Sequence, residues 1–248
     1  MMKTSNAKFT CVEFIFSSSN FSLNGILHLP LITNPPIVIG SHGLLANKNS
    51  PKQIALANQC NELGIAYFRF DYRGCGESQG NYTKDTSFEA RCEDLMNAIK
   101  TVQARNDIGD RIGLFGSSLG GAVSIETAKS IHVDSLVTFA APIRSRELSG
   151  PIEQLNSLSP VTNSTHNINL IFDISNNLSS LSNILIIHGE QDSVVPLSHA
   201  RELYQAVKSP KKLIIQEKGD HAMSSETHQK DFIYQAAQWL KKGLVSNP

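Results

Sequence analysis

The spacing of apolar and polar positions changes near residue 36. Before it, KFTCVEFIFS alternates in part with a period of two, and SNFSLNGILHLP continues in the same manner. Successive side chains of a strand point to opposite faces, so this spacing predicts two β-strands. With Asn24-Gly25 in or near a bend, the pair reads as an antiparallel hairpin.

After residue 36 the strand candidates are short apolar runs: PPIVIGSHG, IAYFRFDYRG, RIGLFG, DSLVTFAAP, ILIIHG and KLIIQE. A run without alternation suits a strand covered on both faces. Segments with helical spacing lie between them. SPKQIALANQCNELG places Ile54, Ala55, Ala57 and Leu63 at such intervals, and its Ser-Pro start suits an N-cap followed by the first helical position. SFEARCEDLMNAIKTVQA carries Leu95, Ala98, Ile99 and Val102 on one face. LGGAVSIETAKS, HARELYQAVK and ETHQKDFIYQAAQWLKK are the remaining helices. Strands alternating with helices imply right-handed crossovers and a mostly parallel sheet, an α/β fold. Residues 144–181 break the rhythm. They are rich in Ser and Asn, with scattered apolar positions such as Ile152, Leu155, Ile168, Leu170 and Ile171. So long an irregular piece in a compact domain points to function. It is expected to form a small lid, inserted into a core made of residues 1–143 and 182–248.

Composition narrows the partners. The chain has 248 residues, 40% hydrophobic and 18% charged, with 22 Lys+Arg balancing 22 Asp+Glu. No basic stripe argues for nucleic acid and no polybasic tail for a membrane surface. No stretch approaches the roughly 18 apolar residues of a membrane-spanning helix, and the first residues lack the apolar run of a secretory signal. A cytoplasmic location is therefore expected, and the sequons at Asn20, Asn81, Asn163 and Asn177 read as chance. Cys11, Cys60, Cys75 and Cys92 have no metal-site spacing and are expected as reduced thiols.

The candidate chemistry lies in GLFGSSLGGA, residues 113–122. A serine hydroxyl becomes a nucleophile when it is exposed, has a base in reach and has donors near the developing oxyanion. A sharp turn between a strand and a helix supplies that exposure, and its crowding requires glycine two residues to either side. Ser118 meets the requirement with Gly116 and Gly120. Ser117 does not, because its corresponding neighbours are Phe115 and Leu119, and it is expected to pack beneath the turn, with facing the pocket as the alternative. Phosphate binding at the helix start is the competing reading. The stretch lacks the Lys-Ser/Thr of a Walker loop and the spacing of a dinucleotide fingerprint.

In such a fold the acid and the histidine follow the nucleophile, each after a later strand. ILIIHGEQDSVVP carries Asp192 and KLIIQEKGDHAMS carries His221. Asp220 is the neighbour of His221 and points elsewhere; Glu190 is the weaker alternative in the Asp192 loop. His28, His132, His166, His199 and His228 sit at no strand's carboxyl end and are expected at the surface or in local hydrogen bonds. His188 is expected to pack its loop. Two backbone N–H groups are expected to hold the oxyanion, those of Leu119 and of Leu44 in SHGLL, with His42 shaping that loop. In FDYRGCGESQG, an internal contact between Asp71 and Arg73 is expected to brace a turn beside the site.

Together SHGLL, DYRGCGES, GSSLGG, HGEQDSVVP and GDHAM resemble the α/β-hydrolase superfamily over nearly the whole chain. The pattern looks most like the cinnamoyl/feruloyl-esterase-like and serine-aminopeptidase-like branches. The resemblance implies an eight-stranded core, a short lid after the sixth strand and hydrolysis without metal or cofactor. Related enzymes with aspartate or cysteine at the nucleophile position are excluded by Ser118. The expected activity is hydrolysis of a small-molecule carboxylic ester, of small to medium acyl size, through an acyl-enzyme on Ser118, His221 and Asp192. A thioesterase or small peptidase using the same residues, and a non-catalytic binding protein on this fold, are the alternatives.

Overall fold

A computed structural model of the chain describes residues 9–149 and 170–245. Among these residues the strands β1 (Phe9–Ser18), β2 (Phe21–Pro30), β3 (Ile37–Ser41), β4 (Ala66–Phe70), β5 (Ile112–Ser117), β6 (Ser135–Phe139), β7 (Ile184–Gly189) and β8 (Lys211–Gln216) form one sheet in the order β1-β2-β4-β3-β5-β6-β7-β8. β3 to β8 pair in parallel, and the opening hairpin is antiparallel. This is the α/β-hydrolase fold.

The hairpin turn lies at Ser19-Asn20, not at Asn24-Gly25. Gly25 lies inside β2 opposite Phe70, where a Cβ would come within 2.5 Å of the Phe68 ring. Its glycine makes room for an aromatic side chain rather than for a bend.

The α-helices among the described residues are α1 (Pro51–Glu62), α2 (Tyr82–Asp85), α3 (Phe88–Gln103), α4 (Leu119–Ala128), α5 (Leu197–Ala206) and α6 (Glu226–Leu244). The central strands alternate cleanly between two cores. Ile37, Ile39, Leu114, Leu136, Ile184 and Ile186 face α3, α4 and α5. Val38, Phe115, Val137, Leu185 and Ile187 face α1 and α6. Both faces are covered, which is why these strands read as continuous apolar runs. Pro51 begins α1 as expected, but the Ser50 side chain makes no capping bond. Ser87 caps α3 by accepting from the Ala90 N–H at 3.0 Å. The four-residue α2 has no periodicity to read and rests on Asn81, which accepts from the Thr83 N–H at 3.0 Å.

The expected lid falls between β6 and β7, and its residues 150–169 lie outside the described ones. The flanks on either side pack into the main body. Leu170, Phe172, Ile174, Leu178 and Leu181 are buried in the core shared with α3 and α4, and the backbones of Arg144 and Asp173 pair in an isolated antiparallel β-bridge.

The loop leaving β4 is stapled outward to two other elements. The side chain of Asp71 is buried and accepts from the Lys48 N–H at 2.6 Å and the Lys48 ammonium at 2.7 Å. Arg73 donates to Asp94 on α3, with Nη2 2.6 Å from Oδ1, and to Glu93. The expected Asp71–Arg73 contact is thus replaced. Gly74 (φ 71°) and Gly76 (φ 51°) turn the chain so that Asp71 is covered by residues 76–77 and Arg73 faces α3. Asp94 also accepts from Ser18 Oγ at 2.6 Å, tying the end of β1 to the same node. Removing one partner of a buried ion pair leaves a charge without compensation, at about 3–5 kcal/mol. Asp94→Ala is accordingly expected to lose about 3 kcal/mol of unfolding free energy, measured by urea denaturation; a loss below about 1 kcal/mol would contradict this account of the node.

Candidate active site

The chain order places two strand ends against each other. β3 is followed by β4 on one side, while β5 pairs with β3 on the other, so the loops leaving β3 and β5 meet where the winding reverses. In open α/β sheets this is where a crevice forms. Ser41, the last residue of β3, pairs with Gly116. A Cβ on Gly120 would lie 2.6 Å from the His42 carbonyl oxygen, and one on Gly116 would lie 2.6 Å from Gly121 Cα. Neither position can hold a side chain, which is the physical reason for both glycines.

Between them Ser118 has φ 53° and ψ −125°, immediately before α4. The strain is held by backbone bonds on both sides. Its N–H donates to Phe139 O at 2.8 Å, and its carbonyl accepts from the Gly121 N–H at 2.8 Å. Ser117 is half-buried and lines the cavity beside Ser118, instead of packing beneath the turn.

Loops from the far side of the sheet bring two more expected residues to Ser118. Its hydroxyl donates to His221 Nε2 at 3.1 Å, and His221 Nδ1–H donates to Asp192 Oδ2 at 2.8 Å. Asp192 Oδ1 accepts from the N–H groups of Val194 and Val195 at 2.9 and 2.8 Å. Burial disfavours the Asp192 carboxylate, yet the hydrogen bonds from His221 and these amides outweigh it and hold its pKa below the ordinary value. An imidazole oriented in this way presents Nε2 as an acceptor for the hydroxyl proton, and the anion beside Nδ1 stabilises its charged form. Asp220 instead accepts from the Ser224 N–H and O–H, and Glu190 accepts from the Lys218 N–H. Neither alternative acid is engaged by His221.

The cavity beside Ser118 has a volume of about 240 Å³ and is lined by His42, Gly43, Leu44, Phe115, Val194 and His221, among others. A Cβ on Gly43 would lie 3.5 Å from Ser118 Cβ, so the loop carrying Leu44 runs directly over the serine. Leu119 follows Ser118 as the first residue of α4. Among the described residues, no group of three His, Cys, Asp or Glu side chains is arranged to hold a metal ion.

Buried histidines frame these loops. His42 Nδ1–H donates to the Gly43 carbonyl at 2.8 Å, and its Nε2 accepts from the Tyr72 N–H. Burial pushes its pKa down to about 3. His188 donates from Nε2 to Val195 O at 2.8 Å, and that nitrogen lies 3.4 Å from Asp192 Oδ2. His188 thus packs its own loop, as expected, and lies against the Asp192 carboxylate. His28 and His199 are buried as well, away from the surface. His28 accepts from Arg69 Nε at 2.8 Å, and burial with the Arg69 charge lowers its pKa to about 4. His166 lies outside the described residues.

The comparisons with known proteins agree with this architecture. The family model of serine aminopeptidase, S33, matches residues 34–180, and that of the prolyl oligopeptidase family matches residues 148–246. The chain belongs to the serine aminopeptidase S33 family of α/β-hydrolases. It is similar to the uncharacterized protein YfhR of Escherichia coli K12, at 30% identity over 195 residues that cover 74% of this chain and 62% of that protein. The chain thus spans less than two thirds of that relative's length. It is also similar to mouse mitochondrial palmitoyl-protein thioesterase ABHD10, at 26% identity over 215 residues covering 77% of this chain and 70% of that protein. Among solved structures, Est1E from Butyrivibrio proteoclasticus with ferulic acid bound superposes with a TM-score of 0.79, at 18% identity over 94% of this chain and 100% of that one.

The buried histidines set an acid limit to stability. The folded pKa of His28 and of His42 lies below the unfolded value near 6.5, so the stabilisation is complete above about pH 6.5. It declines as the pH falls toward 4, because the unfolded chain takes up protons that the folded chain refuses. Each group contributes at most about 1.4 kcal/mol per pH unit. The urea midpoint is expected to fall between pH 6.5 and 5, and His28→Gln, which keeps an acceptor for Arg69, is expected to fall less steeply. Equal slopes for the two proteins would refute this origin.

Proposed function

We propose that the chain is a serine carboxylic-ester hydrolase that works through an acyl-enzyme. The observation that carries this reading is the unbroken hydrogen-bonded line from Ser118 through His221 to Asp192, built on a strained turn at the floor of a cavity. Ser118 attacks the ester carbonyl while His221 takes its proton. The imidazolium then protonates the leaving alcohol, and a water activated by His221 releases the acid. Asp192 keeps the imidazole in the tautomer with Nδ1–H and stabilises its charged form. The backbone N–H groups of Leu119 and Leu44 hold the oxyanion: the first follows the nucleophile and the second belongs to the loop over it. The cavity volume of about 240 Å³ favours small to medium acyl groups.

A second reading, thioester hydrolysis by the same residues, is favoured by the likeness to a palmitoyl-protein thioesterase. The two differ only in the leaving group, so matched oxygen esters and thioesters separate them by kcat/KM.

Ser118→Ala is expected to lower turnover of p-nitrophenyl butyrate by about 10⁴-fold or more with little change in the thermal midpoint, because alanine keeps the Cβ and leaves the turn as it is. Undiminished turnover would sink the assignment. Asp192→Asn is expected to lower kcat by about 10³- to 10⁴-fold with little change in KM, because the amide imposes the wrong imidazole tautomer. A variant within tenfold of wild type in kcat would remove Asp192 from this role.

A further inference from the structure

Lys52 is the second residue of α1, and it lines the cavity that holds Ser118 and His221. The side chain is half-buried. Its Nζ donates to Ala222 O at 3.3 Å and lies 4.5 Å from the centroid of the Phe139 ring. An ammonium has three donors, and here one of them is used on a neutral carbonyl. The carboxylates that act on Lys52 are Asp192 and Asp220, and both are engaged elsewhere. Asp192 takes its bonds from His221 and two amides, and Asp220 takes its bonds from Ser224. Burial lowers the Lys52 pKa to about 8 against the pull of these two anions, which leaves the group charged at pH 7. A ring face and one carbonyl return little of the hydration that a half-buried cation gives up.

Gln53 stands next to it on the same wall. The side chain is buried and its Oε1 accepts from Tyr67 Oη–H at 3.3 Å. Its Nε2, also buried, has no partner among the described residues. The two ammonium donors of Lys52 left over from the Ala222 carbonyl are matched to an acceptor that is not part of the protein, while the buried amide of Gln53, turned toward Tyr67, backs this wall. Leu44, Leu45, Ala46, Phe115 and Val194 make much of the remaining lining apolar, and the amine among the side chains that line the cavity belongs to Lys52.

We propose that Lys52 forms an anion subsite inside the active-site cavity that receives a carboxylate or phosphate group carried by the ester substrate. This rests on the ester-hydrolase reading above and narrows it: the substrate is an anionic ester, and the charge lies on either its acyl or its alcohol portion. The strength comes from charge-assisted hydrogen bonding in a site partly screened from water.

The test compares three esters at pH 7: phenyl butyrate, which is neutral; phenyl hydrogen glutarate, charged on the acyl side; and 4-carboxyphenyl butyrate, charged on the alcohol side. Lys52→Met removes the ammonium and keeps most of the length of the side chain. That matters because Lys52 also borders a second cavity of about 280 Å³ beside Phe232 and Ile233, which truncation would join to the first. For one of the two charged esters, the kcat/KM ratio to phenyl butyrate is expected to fall about tenfold in Lys52→Met and to return in Lys52→Arg. The ester that responds shows which portion carries the charge. Ratios that stay the same for both charged esters, or that are not restored by Arg, overturn the subsite. Wild-type protein that hydrolyses none of the three overturns it as well. Fluorophosphonate labelling of Ser118 then tells which claim has failed: a labelled protein keeps the serine-hydrolase reading and loses the subsite, and an unlabelled one loses both.

Discussion

The structure depends most on the close approach of two backbones, the turn at Ser118 and the end of β3. Ser118 is held at φ 53°, where a residue with a side chain is strained by about 1–3 kcal/mol. The conformation persists because it is fixed from several directions. Ser41 Oγ donates to Gly120 O at 2.9 Å, Tyr72 Oη shares that serine hydroxyl, and Phe139 O takes the Ser118 N–H. These contacts require β3 and β5 to be adjacent and in the Ser41–Gly116 register. They also require glycine at 116 and 120. The register of the central sheet, the two glycines and the exposure of one hydroxyl are therefore a single constraint.

Around that point, buried charge fixes the loops. Asp71 takes the backbone and ammonium of Lys48, and Arg73 takes Asp94, which holds Ser18 at the end of β1. Buried pairs of this kind add little net stability compared with apolar packing, since both ions lose their hydration. Their geometry is nevertheless exacting, and breaking one is costly. The pairs therefore serve to specify where the loops after β3 and β4 lie. Lys48 stands four residues after Leu44 in the loop that covers Ser118, so the Asp71 pair anchors one rim of the cavity.

The parts of this arrangement that were legible in the sequence are those set by local sterics or by layer covering. Glycines at ±2 distinguish Ser118 from Ser117 without any partner being known. Apolar runs without alternation identify β3 to β7 because both faces are covered. The positions of Asp192 and His221 after consecutive strands follow from chain order. What was illegible depends on contacts between elements distant in the chain. Asn24-Gly25 has the composition of a turn, but its glycine makes room for the Phe68 ring from another strand. Asp71 and Arg73 are two residues apart, yet their partners Lys48 and Asp94 lie 23 and 21 residues away. Lys52 and Gln53 look like the unremarkable start of a helix until the fold turns them toward the cavity. No spacing along α1 marks them out, because the cavity they face is formed by other loops.

Among the described residues three histidines stand at strand ends near the crevice, and burial separates their roles. His42 is buried and neutral; one nitrogen donates to Gly43 O and the other accepts from Tyr72, so it has no free position for proton transfer. His188 is buried too, with Nε2 committed to Val195 O and its pKa lowered by burial. Each spends a ring N–H on a backbone carbonyl and thereby fixes a loop: His42 the one over Ser118, His188 the one carrying Asp192. His221 differs in both respects. Its side chain is 24% exposed, and its ring spans from a carboxylate to a hydroxyl. A group that must gain and lose a proton within one cycle needs access to solvent and substrate, together with an anion to stabilise its charged form. Of the three rings, that environment exists only around His221, and the two neutral ones keep its partners in register.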